Sequence, residues 1–237
     1  MKTHRHFLQV MTLAALMLAC PNAQAAVNVT GTVTYEGEIP KFKEIQMDAD
    51  PICLSHNKEK VFPQSLVLGE NKTLGNVFVR LTRNVPKVNY PPPDEPVVIN
   101  QEGCMYHPHV LGIMVGQTLK ILNPDGTLHN VHVLSKVNPE FNLAMPKFRI
   151  ETSKVFDKPE FMFPIKCDVH PWMGAWVTVM DHPYFNVTGV DGRFTIKDVP
   201  AGTYDIEAWH EKLGTRSATI NVTGGGDNKI DFTFSRQ

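Results

Sequence analysis

The chain has 237 residues, 42% of them hydrophobic, with 23 Lys+Arg set against 24 Asp+Glu. So even a balance gives no electrostatic footprint for nucleic acid or for an anionic membrane surface, which argues against both as partners. The length suits one large or two small domains, with ample core for either.

The first 25 residues read as a leader. Lys2 and Arg5 precede an apolar run from about Phe7 to Cys20, and Ala23-Gln24-Ala25 closes it on small residues. That layout predicts a secretory signal peptide cleaved between Ala25 and Ala26, with lipid attachment at Cys20 as the lesser reading. The run is too short to span a bilayer, and no later segment is long and apolar enough to do so. The expected location is therefore periplasmic or secreted. Setting residues 1–25 aside leaves 21 Lys+Arg against 24 Asp+Glu and three cysteines, Cys53, Cys104 and Cys167. In an oxidising compartment an odd count leaves one thiol outside any disulfide.

Beyond the leader, strand signals dominate and no long amphipathic helix emerges. "VNVTGTVTY" alternates Val27, Val29, Gly31, Val33 and Tyr35 on one face, and "NVFVRL" does the same with Val77, Val79 and Leu81. A proline-stiffened linker follows at 87–96, "KVNYPPPDEP". Then come "PVVIN", "TLKILN", "NVHVLS", "EFMFPIK" and "AWVTVM", and after a composition change near 181–185, "RFTIKD", "TYDIEAW", "SATINV" and "KIDFTF". Turn signals separate them, among them "NPDG", "GVDG", "VPAG" and "GGGD". The expected fold is all-β, in sandwich or barrel form. The expected segments are 1–25 (signal peptide), 26–95, 96–182 and 183–237. The last piece is short for a domain and is expected to pair with 26–86, making the middle domain an insertion.

One stretch carries chemistry. "CDVHPWM" places Cys167, His170 and Met173 in C-x2-H-x2-M spacing, and "LHNVHV" upstream supplies His129 and His132. One thiolate, two imidazoles and a weak thioether form the ligand set of a mononuclear blue-copper electron-transfer centre. Alternation along "EFMFPIKC" puts Phe161, Phe163, Ile165 and Cys167 on one face, and along "HNVHV" it turns His129 inward with Val131 and Val133 while His132 faces away. His170 is expected at an exposed loop tip, with Pro171 and Trp172 forming a flat apolar patch on which a redox partner docks. Cys53 and Cys104 are expected to form a disulfide, given export. The rival reading joins "CLSH" and "CMYH" (Cys53, His56, Cys104, His107) into a tetrahedral S2N2 metal site. Multicopper oxidases need H-x-H pairs and an H-C-H run, but here Cys167 stands between Lys166 and Asp168; G-x-S-x-G, H-E-x-x-H and C-x-x-C-H are missing too, so no enzyme is expected.

"LHNVHV" with "CDVHPWM" resembles the cupredoxin family, its amicyanin branch in particular, over residues 97–181. That resemblance implies a Greek-key β-sandwich holding one type 1 copper ion. His129, Cys167 and His170 would be equatorial ligands, Met173 would be axial, and Asn130 would tie the two ligand loops together. It also implies a redox protein as partner, such as a c-type cytochrome or a dehydrogenase. The long flanking sequence departs from simple cupredoxins, and the whole chain resembles bacterial methylamine-utilisation-type proteins. "VTGVDGRFTIKDVPAGTYDIEAW" is similar to the carboxypeptidase regulatory-like domain, a small transthyretin-like β-sandwich, and "GTVTYEGEIPK" resembles that fold's first strand. The function expected from all this is exported single-electron carriage. The alternative is copper delivery or storage, or non-redox binding through a cupredoxin-like domain.

Overall fold

The structure is a computed structural model and describes residues 26–236. The leader expected over 1–25, Cys20 included, lies outside the described residues. The chain opens with strand β1 (Val27–Glu36), a long excursion bearing the short helix α1 (Pro51–His56), and β2 (Phe78–Arg83). Nine strands follow: β3 (Val97–Glu102), β4 (Met105–His107), β5 (Val110–Met114), β6 (Thr118–Leu122), β7 (His129–Val133), β8 (Phe141–Met145), β9 (Glu151–Val155), β10 (Glu160–Lys166) and β11 (Gly174–Met180). The chain ends with β12 (Phe185–Val187), β13 (Arg193–Val199), β14 (Gly202–His210), β15 (Gly214–Val222) and β16 (Phe232–Ser235). The protein is all-β, and α1 has only six residues.

The strands assort into two pairs of sheets. Sheets β5-β11-β10-β7-β8 and β4-β3-β6-β9 are built from the middle of the chain, whereas β13-β1-β16 and β12-β2-β14-β15 combine its two ends. Each pair encloses its own apolar core. The middle core gathers Ile99, Leu119, Ile121, Val131, Phe163 and Val177, among others, and the outer core gathers Val29, Val33, Leu81, Phe194, Ile206 and Phe234. Val29, Val33 and Tyr35 of β1 are buried while Thr32 and Thr34 between them are less so, as period-two side-chain alternation requires of a half-buried strand.

The two sandwiches meet through Phe78, Val110 and Met180, with Trp176, Phe185 and Trp209 packed against them. Phe78 stacks on Phe185 at 5.5 Å, and Trp176 meets Trp209 edge-on at 5.4 Å. Gly112 of β5 sits at this seam because nothing larger fits: a Cβ there would lie 2.4 Å from the Phe185 ring. His109 bridges the seam too, one ring nitrogen on the carbonyl of Gly174 at 2.9 Å and the other on the Glu211 carboxylate. Burial on both faces is why Phe78 is as fully covered as its neighbours Val77 and Val79.

One stretch of alternation fails. The pairing of β10 with β11 slips between Glu160 and Phe163, and Met162 at the slip has φ 46°. The bulge turns Phe161 outward to 38% exposure under the Arg80 guanidinium, 3.6 Å from its ring centre, so the expected Phe161–Cys167 face begins only at Phe163.

Candidate metal centre

His129 is the first residue of β7, and Cys167, His170 and Met173 occupy the loop from β10 to β11. All four are buried, with His129 at 0% and His170 at 2% exposure. The loop is tied by its own backbone: Cys167 N–H donates to Met173 O at 3.2 Å, and Met173 N–H donates to His170 O at 2.9 Å. The backbone N–H of His170 also points at Cys167 Sγ, 3.4 Å away. Asn130, next along β7, reaches across with Oδ1 to accept the backbone N–H of Asp168 at 2.7 Å and the Cys167 thiol at 3.3 Å. Its own carbonyl accepts from the buried Tyr106 hydroxyl. One amide thus links the two segments that carry the candidate ligands.

The side chains converge. His129 Nδ1 lies 2.9 Å from His170 Nδ1, and Cys167 Sγ lies 3.8 Å from the latter. His129, Cys167 and His170 present ligand atoms that all fall within 4.8 Å of one another. Met173 is buried in the same apolar cluster as Cys167. His132 faces outward to Asp168 at 2.9 Å and Glu140 at 3.2 Å, away from the cluster.

Two carboxylates frame the imidazoles. His129 Nε2 donates to Asp125 Oδ2 at 2.8 Å, and Asp125 is itself fixed by the backbone N–H groups of Gly103 (2.8 Å) and Cys104 (2.7 Å). His170 Nε2 donates to Asp50 Oδ2 at 3.1 Å. A carboxylate only accepts, so each Nε2 carries a hydrogen and each Nδ1 is left to face the other across 2.9 Å. Two lone pairs at that distance repel unless a cation, a proton or a metal ion, lies between them. Burial lowers the pKa of His129, but the hydrogen bond and charge of Asp125 with the nearby Cys167 outweigh it, holding the pKa at about 8. Burial pushes the Cys167 thiol up, and hydrogen bonds from His129 and neighbouring backbone N–H groups overcome this, so its pKa falls below the ordinary thiol value. Burial depresses the pKa of His170. A soft thiolate and two imidazole lone pairs in a buried cluster fit a copper ion.

The sequence reading missed what covers this cluster. Residues 45–61 form a strap across the ligand loop, begun by a backbone bond from Ile45 N to Val61 O. Asp50 caps α1 by accepting Ile52 N–H at 2.8 Å, and Pro51 follows at the first helical position, where its missing N–H costs nothing. Cys53 of α1 is joined to Cys104, and its sulphur lies 3.6 Å from His170 Nε2. Asn57 donates to Cys53 O and Gly103 O, both at 2.9 Å. The sulphurs of the rival S2N2 site are therefore bonded to each other. His56 turns to Asp125 at 3.4 Å, and His107 is exposed.

This strap corrects two expectations. His170 is not at an exposed tip, because Asp50 and Cys53 lie over its outer edge. Pro171 is exposed, but Trp172 is half-buried against the middle core with its indole N–H on Cys104 O at 3.0 Å, so the two do not form an open apolar patch. The clue available in the sequence was "DPICLSH", an Asp–Pro helix start beside a cysteine.

No family model matches the chain, and no curated protein matches it. Among solved structures, a reduced-state amicyanin variant is 24% identical, covering 43% of this chain and 98% of its own, with a TM-score of 0.33. An oxidised amicyanin variant is 23% identical over the same shares, also at 0.33. A copper-containing nitrite reductase from Thermus scotoductus SA-01 is 23% identical over 44% of this chain, at 0.32, and the match spans only 25% of that enzyme's length. Among the described residues no helix is long and apolar enough to cross a membrane.

Proposed function

We propose that the protein is an exported carrier of single electrons built around one copper ion, and not an enzyme. His129, Cys167 and His170 would hold the ion, with Met173 as the weak fourth ligand. The observation that carries this reading is the buried meeting of two imidazole Nδ1 atoms 2.9 Å apart with a thiol whose pKa is lowered, each Nε2 being occupied by a carboxylate. A copper ion in such a set supplies one-electron redox chemistry between Cu(I) and Cu(II).

The chain's own residues prepare for that chemistry. Asp125 and Asp50 hold the hydrogen on each Nε2, so both Nδ1 lone pairs face inward. Asn130 fixes the start of the Cys167 loop, and the backbone N–H of His170 stabilises the thiolate. The apolar residues around Cys167 and Met173 exclude water. Electrons would pass to and from a redox protein such as a c-type cytochrome or a dehydrogenase.

A second reading, copper storage or delivery, is favoured by the strap over His170, which would slow exchange with partners. Reconstitution with Cu(II) tests the first reading. An intense visible thiolate-to-copper band, absent in Cys167→Ser, supports electron carriage; a colourless complex that hands copper to a chelator supports delivery.

A further inference from the structure

We infer that Asp50 is the positioning residue of His170, carried over the ligand loop by a strap that the Cys53–Cys104 bond and Asn57 pin in place. The effect on metal rests on the copper reading above, whereas the hydrogen bond itself is a property of the metal-free protein. His170 has two ring nitrogens and each has an assigned task. Nδ1 turns inward to His129 and Cys167, at 2.9 Å and 3.8 Å. Nε2 turns outward to Asp50 Oδ2 at 3.1 Å and the Cys53 sulphur at 3.6 Å. Of those outward neighbours only Asp50 is a strong acceptor, so Asp50 decides where the hydrogen sits and keeps the ring from turning about its own axis.

Asp50 is suited to this because its other contacts are fixed. Oδ1 accepts Ile52 N–H at 2.8 Å, and Oδ2 also accepts the Thr127 hydroxyl at 2.9 Å. Thr127 belongs to the loop that leads into His129, so a single carboxylate braces both histidine-bearing segments. The strap cannot drift from this position. Cys53 is bonded to Cys104, whose N–H is held by Asp125 and whose carbonyl is held by Trp172. Asp50 and Asp125 therefore grip the outer nitrogens of the two imidazoles from opposite ends of one covalently closed frame. The same strap covers the side of His170 on which a partner would otherwise stand.

The test compares Asp50→Ser with Thr127→Val in the full-length protein. Serine keeps the helix cap but is too short to reach His170; valine removes the other contact of Oδ2 and leaves His170 untouched. In the metal-free proteins, ¹⁵N-resolved spectra read the His170 Nε2–H proton. We expect its exchange with water to quicken about tenfold or more in Asp50→Ser, the equivalent of one charge-assisted hydrogen bond, and not in Thr127→Val. With Cu(I) added against a competing chelator, Asp50→Ser should bind about 10- to 100-fold more weakly. Its reduction potential should also rise, since the lost negative charge favoured the oxidised ion. Unchanged exchange in Asp50→Ser, or an equal change in Thr127→Val, overturns the inference. If the wild-type protein takes up no copper while the proton behaves as expected, the copper reading falls and the positioning role of Asp50 stands.

Discussion

His129 and His170 face each other through Nδ1 atoms 2.9 Å apart, and the opposite nitrogen of each ring is bound to a carboxylate. The line Asp125, His129, His170, Asp50 runs unbroken from the β6–β7 loop to the strap. It requires a positive charge near its centre, which is what a metal ion or a shared proton supplies. From that relationship and its surroundings the following outcomes are expected.

Asp125→Asn should weaken copper binding by about 10- to 100-fold, as loss of an outer hydrogen-bond partner of a metal-binding histidine commonly does. It should also cost about 1–3 kcal/mol of stability, since Asp125 accepts two backbone N–H groups and asparagine cannot serve both while still meeting His129. Competition titration with a chelator and urea unfolding measure the two effects. An unaltered copper affinity would show that His129 holds its orientation without help.

Replacing Cys53 and Cys104 together by serine should lower stability by about 4 kcal/mol, the loss of a cross-link closing a loop of this size. The separation is 51 residues, and the loop it closes takes in β2 of the outer sheets, the linker at 87–96 and β3 of the middle sheets. Unfolding midpoints of wild type and double variant decide this. The variant should also hold copper less firmly, because the strap loses its anchor.

Acid should erode stability through His210. It is 1% exposed, and burial holds its pKa down at about 4. Between the ordinary value near 6.5 and about 4, the unfolded chain binds a proton that the folded chain refuses, so stability falls as pH drops through that window. His210 Nδ1 accepts Lys212 N–H at 3.2 Å, while Nε2 has no hydrogen-bond partner among the described residues. His210→Phe should therefore be neutral or stabilising at pH 7, and its unfolding free energy should vary less between pH 6.5 and 4. A steeper acid loss in the variant would contradict this assignment.

Glu160 acts in a lower window. Burial would raise its carboxyl, but hydrogen bonds from Ser135, the Lys136 backbone and Asn138 hold its pKa down at about 2. A depressed carboxyl stabilises the fold above its unfolded value near 4.5, and that contribution disappears as pH falls from about 4.5 towards 2. Glu160→Gln should therefore remove part of the acid sensitivity in this range, as acid titration followed by circular dichroism would show. An acid limb unchanged from wild type would remove Glu160 from the account.

Much of this was legible along the chain, and the reasons differ by residue. Val29, Val33 and Tyr35 alternate with polar neighbours, so the pleat and its buried face followed from period two alone. Cys167, His170 and Met173 lie within seven residues of one another, and a short loop closed by its own backbone bonds keeps near neighbours close whatever surrounds it. His129 could be separated from His132 because strand positions an odd number of residues apart point to opposite faces. Phe161 broke the same rule where an extra residue at Met162 inserted a bulge, a feature alternation cannot foresee.

Composition and local spacing by themselves determined that this chain is built of strands, that an odd count of cysteines leaves one thiol outside any disulfide, and that a thiol, imidazoles and a thioether are available together. These are properties of short segments, governed by backbone geometry and side-chain chemistry within a few residues. Only the tertiary structure decided that Asp50, 120 positions before His170, closes over its outer nitrogen, and that Asp125 and Asp50 brace the two imidazoles from opposite ends. Contacts between distant segments depend on how sheets and excursions pack in three dimensions, where many pairings are open to the same local pattern. The exposed edge expected of His170 was lost for that reason: the strap that covers it comes from a segment far away in the chain.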